Sequence, residues 1–341
     1  MSKKVLSFGE LLLRICPDTE GNWLQENTLP FYVGGAEANV ATALALWGTP
    51  SAYFTAMPDN ALSRQLAGYL STKKIDTSRI LYQGERLGLY YLPKGKDLKN
   101  AGVIYDRAHS SFSALRPGVI DWDTVLAGIG WLHFSAISPA LGKQVAAVCE
   151  EMLEAATSKK ITISVDLNYR AKLWQYGMLP EEVMPGLVKY CDLIMGNLWA
   201  VEKMLSIPVD AALIGTGRQQ DYLEHARRTS ERVLEKFPRA TLVANTFRFD
   251  HGPAGINYYT TLYGEGQLYH STEYFSDKIL DKVGSGDCFM AGLIHGMYTP
   301  QPHQDTLEFA TAAAFQKLFI PSDATNQTVA EINKFIKTYE R

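Results

Sequence analysis

Cysteine is scarce and dispersed. Cys16, Cys149, Cys191 and Cys288 are the only four in 341 residues, and no two stand as a C-x-x-C pair. That spacing suggests neither a disulfide framework nor a zinc knuckle, and fits a reduced cytoplasm. The seven histidines form no H-x-x-x-H pair, which leaves metal-hydrolase chemistry without its pattern. Neither sign of charge is in excess, since 33 Lys and Arg face 36 Asp and Glu for a formal net charge of −3. Such a chain has no basic surplus to neutralise a nucleic-acid backbone, so nucleic acid is not an expected partner. Any anion it binds must be held at a local site. No apolar run approaches the roughly 18 residues that cross a bilayer, so no membrane partner is expected either. The N-terminal apolar stretch after Lys3 and Lys4 is broken by Glu10 and Arg14 and carries no A-x-A-like site, which speaks against export. Also missing are G-x-G-x-x-G, the Walker-type G-x-x-x-x-G-K-[ST] loop and a G-x-S-x-G elbow.

What is present is an alternation of short β-branched runs with longer stretches of helical period. This is the pattern of βαβ units and a mostly parallel sheet. Val5–Phe8, Trp131–Phe134, Ile161–Asp166, Leu193–Met195 and Leu242–Ala244 read as strands. Lys143–Ala156, Pro180–Lys189, Trp199–Leu205 and Tyr222–Lys236 read as helices packed on them. Two stretches, 14–32 and 81–113, mix Gly, Pro and aromatics with short alternation such as Gly88-Leu89-Tyr90-Tyr91-Leu92. They read as antiparallel strands of a small lid inserted into one α/β body that spans residues 1–341, over a site at the carboxyl ends of the parallel strands. At about 150 residues per domain the length alone would suggest roughly two domains; one large body with a discontinuous lid fits the pattern better.

Near the C-terminus, Asp281-Lys282-Val283-Gly284-Ser285-Gly286-Asp287 runs directly into an apolar helical segment. Glycines before a helix let backbone amides converge, and the helix N-terminus favours an anion, with phosphate the obvious guest. Asp287 then serves either as a helix cap or as a general base toward a hydroxyl attacking a nucleotide's γ-phosphoryl group. A second glycine pair, Gly34-Gly35, opens a small-residue helix through Ala36-Glu37-Ala38-Asn39-Val40-Ala41. It suits either ligand approach or a tight helix–sheet contact.

Phe8-Gly9-Glu10, the G-G-A-E-A-N-V-A run, Asp166-Leu167-Asn168-Tyr169-Arg170 with Leu173-Trp174, and D-K-V-G-S-G-D together resemble the signatures of the ribokinase-like carbohydrate kinases, the PfkB family. The resemblance covers essentially the whole chain. Within the family it is strongest to the 2-keto-3-deoxygluconate kinases, through Gly88-Leu89-Tyr90, Tyr105-Asp106-Arg107-Ala108 and the D-x-N-x-R-x-x-L-W segment. It implies a three-layer α/β/α sandwich with a mostly parallel central sheet and a β-sheet lid, and ATP-dependent transfer to a sugar-acid hydroxyl with Mg2+ on the nucleotide.

The same resemblance implies the site. Asp287 matches the catalytic base, and Gly284, Ser285 and Gly286 match the anion hole. Gly34, Gly35 and Asn39 match the sugar-contacting segment. Tyr90, Tyr105 and Arg107 lie on the lid side, Arg170 approaches the acid or the transferred phosphate, and Asp323 is a sugar contact. Asn197, Thr246 and Arg248, with Gly284 and Gly286, face the nucleotide. Arginine suits a keto acid because its planar fork recognises a carboxylate bidentately; the ordinary alternative for each is a surface salt bridge, and for each tyrosine lid packing with the hydroxyl in water.

The chain departs from the family at four points. Ser285 replaces the usual alanine, and N-x-x-E reads Asn197-Leu198-Trp199-Ala200 with the next acid at Glu202. The Thr/Gly-rich nucleotide segment reads Ala244-Asn245-Thr246-Phe247-Arg248, and Ser322 stands for the glycine of G-D-x-N. No protein metal ligands are assigned. A fructokinase or other hexose kinase, a silent sugar- or nucleotide-binding relative and an oxidoreductase on a related body remain as alternatives. The exposed edges of a lid sheet suggest a homodimer or higher homo-oligomer.

Overall fold

A computed structural model describes residues 3–17, 23–24, 27–93, 102–210, 218–252 and 255–339. The first half runs β1 (Lys4–Phe8), β2 (Leu12–Ile15), β3 (Phe31–Gly34), α1 (Ala36–Leu46), β4 (Ser51–Phe54), β5 (Ala56–Met57), α2 (Ala61–Thr72), β6 (Ile75–Asp76), β7 (Leu81–Tyr82), β8 (Gly88–Tyr91) and β9 (Ile104–Asp106). There follow α3 (Trp122–Val125), β10 (Ile129–Ser135), α4 (Lys143–Ser158), β11 (Thr162–Asp166), α5 (Pro180–Val188), β12 (Leu193–Met195), α6 (Leu198–Leu205) and α7 (Gln219–Lys236). The chain closes with β13 (Leu242–His251), β14 (Gly255–Gly264), β15 (Gln267–His270), β16 (Tyr274–Ser276), α8 (Ser285–Tyr298), α9 (His303–Lys317) and α10 (Val329–Tyr339).

The central sheet has the order β15-β14-β13-β12-β11-β10-β1-β4-β6, with β16 also paired to β14. Every pair from β13 to β6 is parallel. Helices cover both faces, as a parallel sheet requires. One core joins β10 and β11 to α4, α5 and α6, through residues such as Phe134, Ile163, Met152 and Met184. The other packs α1, α8, α9 and α10 on the opposite face, around Val40, Phe289, Leu293 and Ala310. α1 and α8 are buried along almost their whole length, which explains their small and apolar composition on every side.

The expected strands and helices are present within a few residues of the ends read from the sequence, except β13. It does not stop at Ala244 but continues to His251, forming a long antiparallel hairpin with β14. The polar residue that seemed to end it, Asn245, is wholly buried and donates to the Gly196 carbonyl at 2.8 Å. The lid is a separate four-stranded sheet, β3-β2-β8-β9. Its outer pairs are antiparallel as expected, but β2 and β8 run parallel, aligning Leu12 with Gly88 and Ile15 with Tyr91. Parallel neighbours need a long crossover, and the intervening β3 to β7 segment supplies it. Positions 18–22, 25–26 and 94–101 of the two stretches read as lid lie outside the described residues.

The closest helix contact is that of α8 with α9. A Cβ added at Gly292 would lie 2.5 Å from the Ala310 Cα. Gly292→Ala is therefore expected to destabilise by about 1–3 kcal/mol through overpacking against backbone. Gly186→Ala in α5, where an added Cβ meets nothing within 4 Å, is expected to be neutral or stabilising. Thermal unfolding of the two variants beside the parent chain checks both.

Candidate active site

A cavity of about 290 Å³ opens where the parallel strands end, between the central sheet and the lid. β11 delivers Asp166 to its wall, and the segment after it delivers Asn168, Tyr169 and Arg170. β12 delivers Met195, followed by Gly196 and Asn197, and β13 delivers Thr246, Arg248 and Asp250. The lid contributes Tyr90, Tyr105 and Arg107.

Two helices begin at this cavity with glycine at the N-cap and no side-chain cap. They are α1 after Gly35 and α8 after Gly284. Elsewhere Asn60, Asp121 and Asn197 cap their helices with side-chain oxygens. The first amides of α8 are thus left for an external anion, which the helix field also favours. Gly284 holds φ at 77°, and a Cβ there would sit 1.8 Å from the Asp323 carbonyl oxygen. Only glycine fits. Gly35, at φ 122°, would likewise drive a Cβ to 2.4 Å from the Glu10 carbonyl oxygen, so the second glycine pair serves close packing, with Gly35 also on the cavity wall.

Asp287 lies one turn into α8, buried, and does not cap its helix. Its Oδ2 accepts from Asn39 Nδ2 at 2.7 Å. Burial pushes its carboxyl up to about 7; Asp166 and Glu37 push in the same direction, while the Asn39 hydrogen bond and Arg170 oppose. Glu37, fully buried, is also raised to about 7 by burial, although its Oε1 accepts from the Ser135 amide and hydroxyl. A side chain at Gly9 would occupy the place of the Glu37 carboxylate. Glu10 pairs with Arg107 Nε at 2.7 Å, both side chains almost wholly buried. The Phe8-Gly9-Glu10 segment therefore makes room for one carboxylate and supplies another.

Of the residues singled out in the sequence, Gly35, Asn39, Tyr90, Tyr105, Arg107, Arg170, Asn197, Thr246, Arg248, Gly284, Ser285, Gly286 and Asp287 all line the cavity. Gly34 and Asp323 do not. Asp323 is wholly buried behind Tyr90, whose hydroxyl donates to its Oδ2, and a Cβ at Gly34 would lie 2.2 Å from that same oxygen. Asp323, expected from the sequence as a sugar contact, thus stands behind the cavity wall rather than on it. Tyr90 stands on the cavity wall, and its hydroxyl is held by a carboxylate, which removes the alternative of lid packing with the hydroxyl in water. Arg107 is not a surface ion-pair residue. Arg170, half-buried, donates from Nη1 to the Tyr169 carbonyl at 3.0 Å. Asn197 Oδ1 accepts the Ala200 amide at 2.9 Å, so its oxygen is used as the α6 cap.

Sequence reasoning passed over Asp166, Trp199, Asp250 and Lys282, all on the wall. Lys282 pairs with Asp250 at 2.7 Å. Its position two residues before Gly284, in a segment already marked for anions, was the available signal. Among the described residues, no group of three His, Cys, Asp or Glu side chains is placed to hold a metal ion.

Comparison with known proteins bears on this geometry. Residues 2–326 match the profile described as pfkB family carbohydrate kinase. The crystal structure of a 2-dehydro-3-deoxygluconokinase from Thermotoga maritima is similar, with TM-score 0.88 and 35% identity, covering 98% of this chain and 99% of that one. A 2-dehydro-3-deoxygalactonokinase of Haloferax volcanii is 25% identical over 99% of this chain and 98% of its own length. A 5-dehydro-2-deoxygluconokinase of Geobacillus kaustophilus is 25% identical, covering 96% and 92%.

The burial of Asp287 leads to a direct measurement. Its carboxyl, followed by carbon-13 NMR, is expected to titrate near pH 7. Asn39→Ala removes the donor that favours the charged form and should move that titration to higher pH. A carboxyl that titrates near pH 4 in the parent chain would overturn this account of the site.

Proposed function

The chain belongs to the pfkB family of carbohydrate kinases and is an ATP-dependent sugar kinase, and on that premise we propose that its acceptor is a 2-keto-3-deoxy sugar acid of the gluconate type, with Asp287 as general base. The observation that carries this reading is a pair of arginines, Arg107 and Arg170, on the wall of the same cavity as Asp287. A neutral ketose offers them no carboxylate. Arg107 is held through Nε by Glu10, and its Nη groups are assigned to the substrate carboxylate, since the planar fork suits bidentate recognition. The names of the Thermotoga maritima and Haloferax volcanii proteins, both kinases of such acids, support the assignment.

The chemistry follows from the placement of the groups. A substrate hydroxyl gives its proton to the Asp287 carboxylate as its oxygen bonds to the γ-phosphorus of ATP. The bond from that phosphorus to the β-γ bridging oxygen breaks, and ADP leaves. The amides at Gly284, Ser285 and Gly286 face the charge that develops on the phosphoryl oxygens, where fixed donors are most effective. Arg170 and Arg248 stand on the same wall to pair with anionic groups. Asp166, a carboxylate on the same wall, would be the group to hold magnesium arriving with the nucleotide, and the metal would supply neutralisation of phosphate charge. Lid residues Tyr90 and Tyr105 close the sugar side and exclude water.

Because the base must be unprotonated, kcat/KM is expected to fall as pH drops through about 7. ADP release measured over a panel of sugar acids and neutral hexoses should favour the 2-keto-3-deoxy acid. Asp287→Asn should lose on the order of 10²–10⁴ in kcat. Arg107→Ala should raise KM for the acid about tenfold or more while leaving KM for ATP near the parent value. Preference for neutral fructose, with an indifferent Arg107→Ala, would replace this reading by a fructokinase.

A further inference from the structure

Arg14, Asp281 and Asp323 form an ion cluster with no exposed side-chain surface, and none of the three lines the cavity. Burying charge is costly, and apolar side chains of similar volume commonly pack as well or better. The cluster touches the site at both ends. At one end Tyr90, on the cavity wall, gives its hydroxyl proton to Asp323 Oδ2. Asp323 Oδ1 lies 2.9 Å from Arg14 Nε, an ion pair without hydrogen-bond alignment. Arg14 Nη2 donates to Asp281 Oδ2 at 2.7 Å. Asp281 Oδ1 then accepts the Val283 amide at 3.1 Å, one residue before Gly284. The Asp323 main chain returns to the same place, its carbonyl filling the space a Gly284 side chain would need.

We propose that Arg14 is a positioning residue that couples Tyr90, on the cavity wall, to the anion-binding turn Gly284–Gly286. The proposal rests on the phosphoryl-transfer reading of that turn. With its proton committed to Asp323, the Tyr90 oxygen has only lone pairs left to offer, so toward an acceptor it can read a hydroxyl and not the carboxylate. A hydroxyl donated to it strengthens the Tyr90 to Asp323 bond, as hydrogen bonds in a chain polarise one another. Through Arg14 and Asp281 that change reaches the Val283 amide and the turn beside it. Acceptor binding and the donors for the transferred phosphoryl group are thereby joined without contact between them.

The test uses the full chain with no sugar present, so that direct sugar contacts cannot contribute. Binding of ADP with aluminium fluoride, a mimic of the phosphoryl group in transfer, is measured by calorimetry in the presence of magnesium. Tyr90→Phe keeps the ring, removes the hydroxyl and threatens folding least; it should weaken binding at least fivefold, although Tyr90 lies on the sugar side. Arg14→Met should weaken it as much, Arg14→Lys should recover part of the loss, and Tyr90→Phe added to Arg14→Met should cost nothing more. Should Arg14→Met fail to fold, Tyr90→Phe alone decides. Binding within twofold of the parent in Tyr90→Phe, or additive losses in the double variant, overturns the coupling. A parent chain that binds no ADP under these conditions overturns the phosphoryl-transfer reading of the turn, and the coupling with it.

Discussion

Everything at the active end of this molecule is arranged around a carboxylate that water does not reach. Asp323 has no exposed surface, and burial pushes its carboxyl up against the opposing pull of Arg14 and Lys317. Such a group persists only where cations and donors surround it. Arg14 from β2, Tyr90 from β8 and the buried Lys317 at the end of α9 supply them, and Lys317 spends a hydrogen bond of 3.2 Å on the Ile320 carbonyl. The consequences run outward to the glycines. The side chain of Asp323 excludes a Cβ at Gly34 and its main chain excludes one at Gly284. One residue thus requires a glycine in each of the two motifs, and brings the start of α1 and the start of α8 to the same cavity.

The second constraint is electrostatic. Helix α8 begins uncapped at an open cavity, a favourable field for an anion, yet its first turn carries Asp287 in a buried position near Glu37 and Asp166. Burial first, and those carboxylates with it, raise the Asp287 pKa toward neutrality, where a carboxylate accepts a proton far more readily than at its ordinary pKa. Asn39 and Arg170 limit the rise. The same low dielectric that makes Asp287 costly to charge makes the neighbouring amides effective toward phosphate.

The order of strands and helices was legible because it is a matter of period. Val5–Phe8, Leu193–Met195 and their companions are short apolar runs that only a covered parallel sheet accommodates. Among the motif glycines, Gly35 and Gly284 were legible because few other residues tolerate their backbones. What escaped was set by partners far apart in the chain. Asn245 reads as a strand end until its amide is seen bound to Gly196, 49 residues away. Asp323 reads as a ligand contact because its neighbour Tyr90 is 233 positions distant. Arg14 reads as a polar interruption of an apolar stretch, since nothing local announces Asp281, 267 residues on. The parallel pairing of β2 with β8 was hidden for the same reason, as turn chemistry indicates hairpins but not crossovers.

Charge completes the argument. A chain of net charge −3 can hold an anion only at cations that are free to leave their own acids or that keep further donors beside them. The two pairs on the cavity wall differ in this respect. Lys282 meets Asp250, whose side chain is 64% exposed, so the pair is worth little and Lys282 can change partners at small cost. Arg107 meets Glu10 with 5% and 2% of their side chains exposed, and removing either partner would strand a buried charge. The first arrangement suits a cation that must release its ligand on every turnover. The second suits one whose orientation must not change, and it stands on the lid side of the cavity.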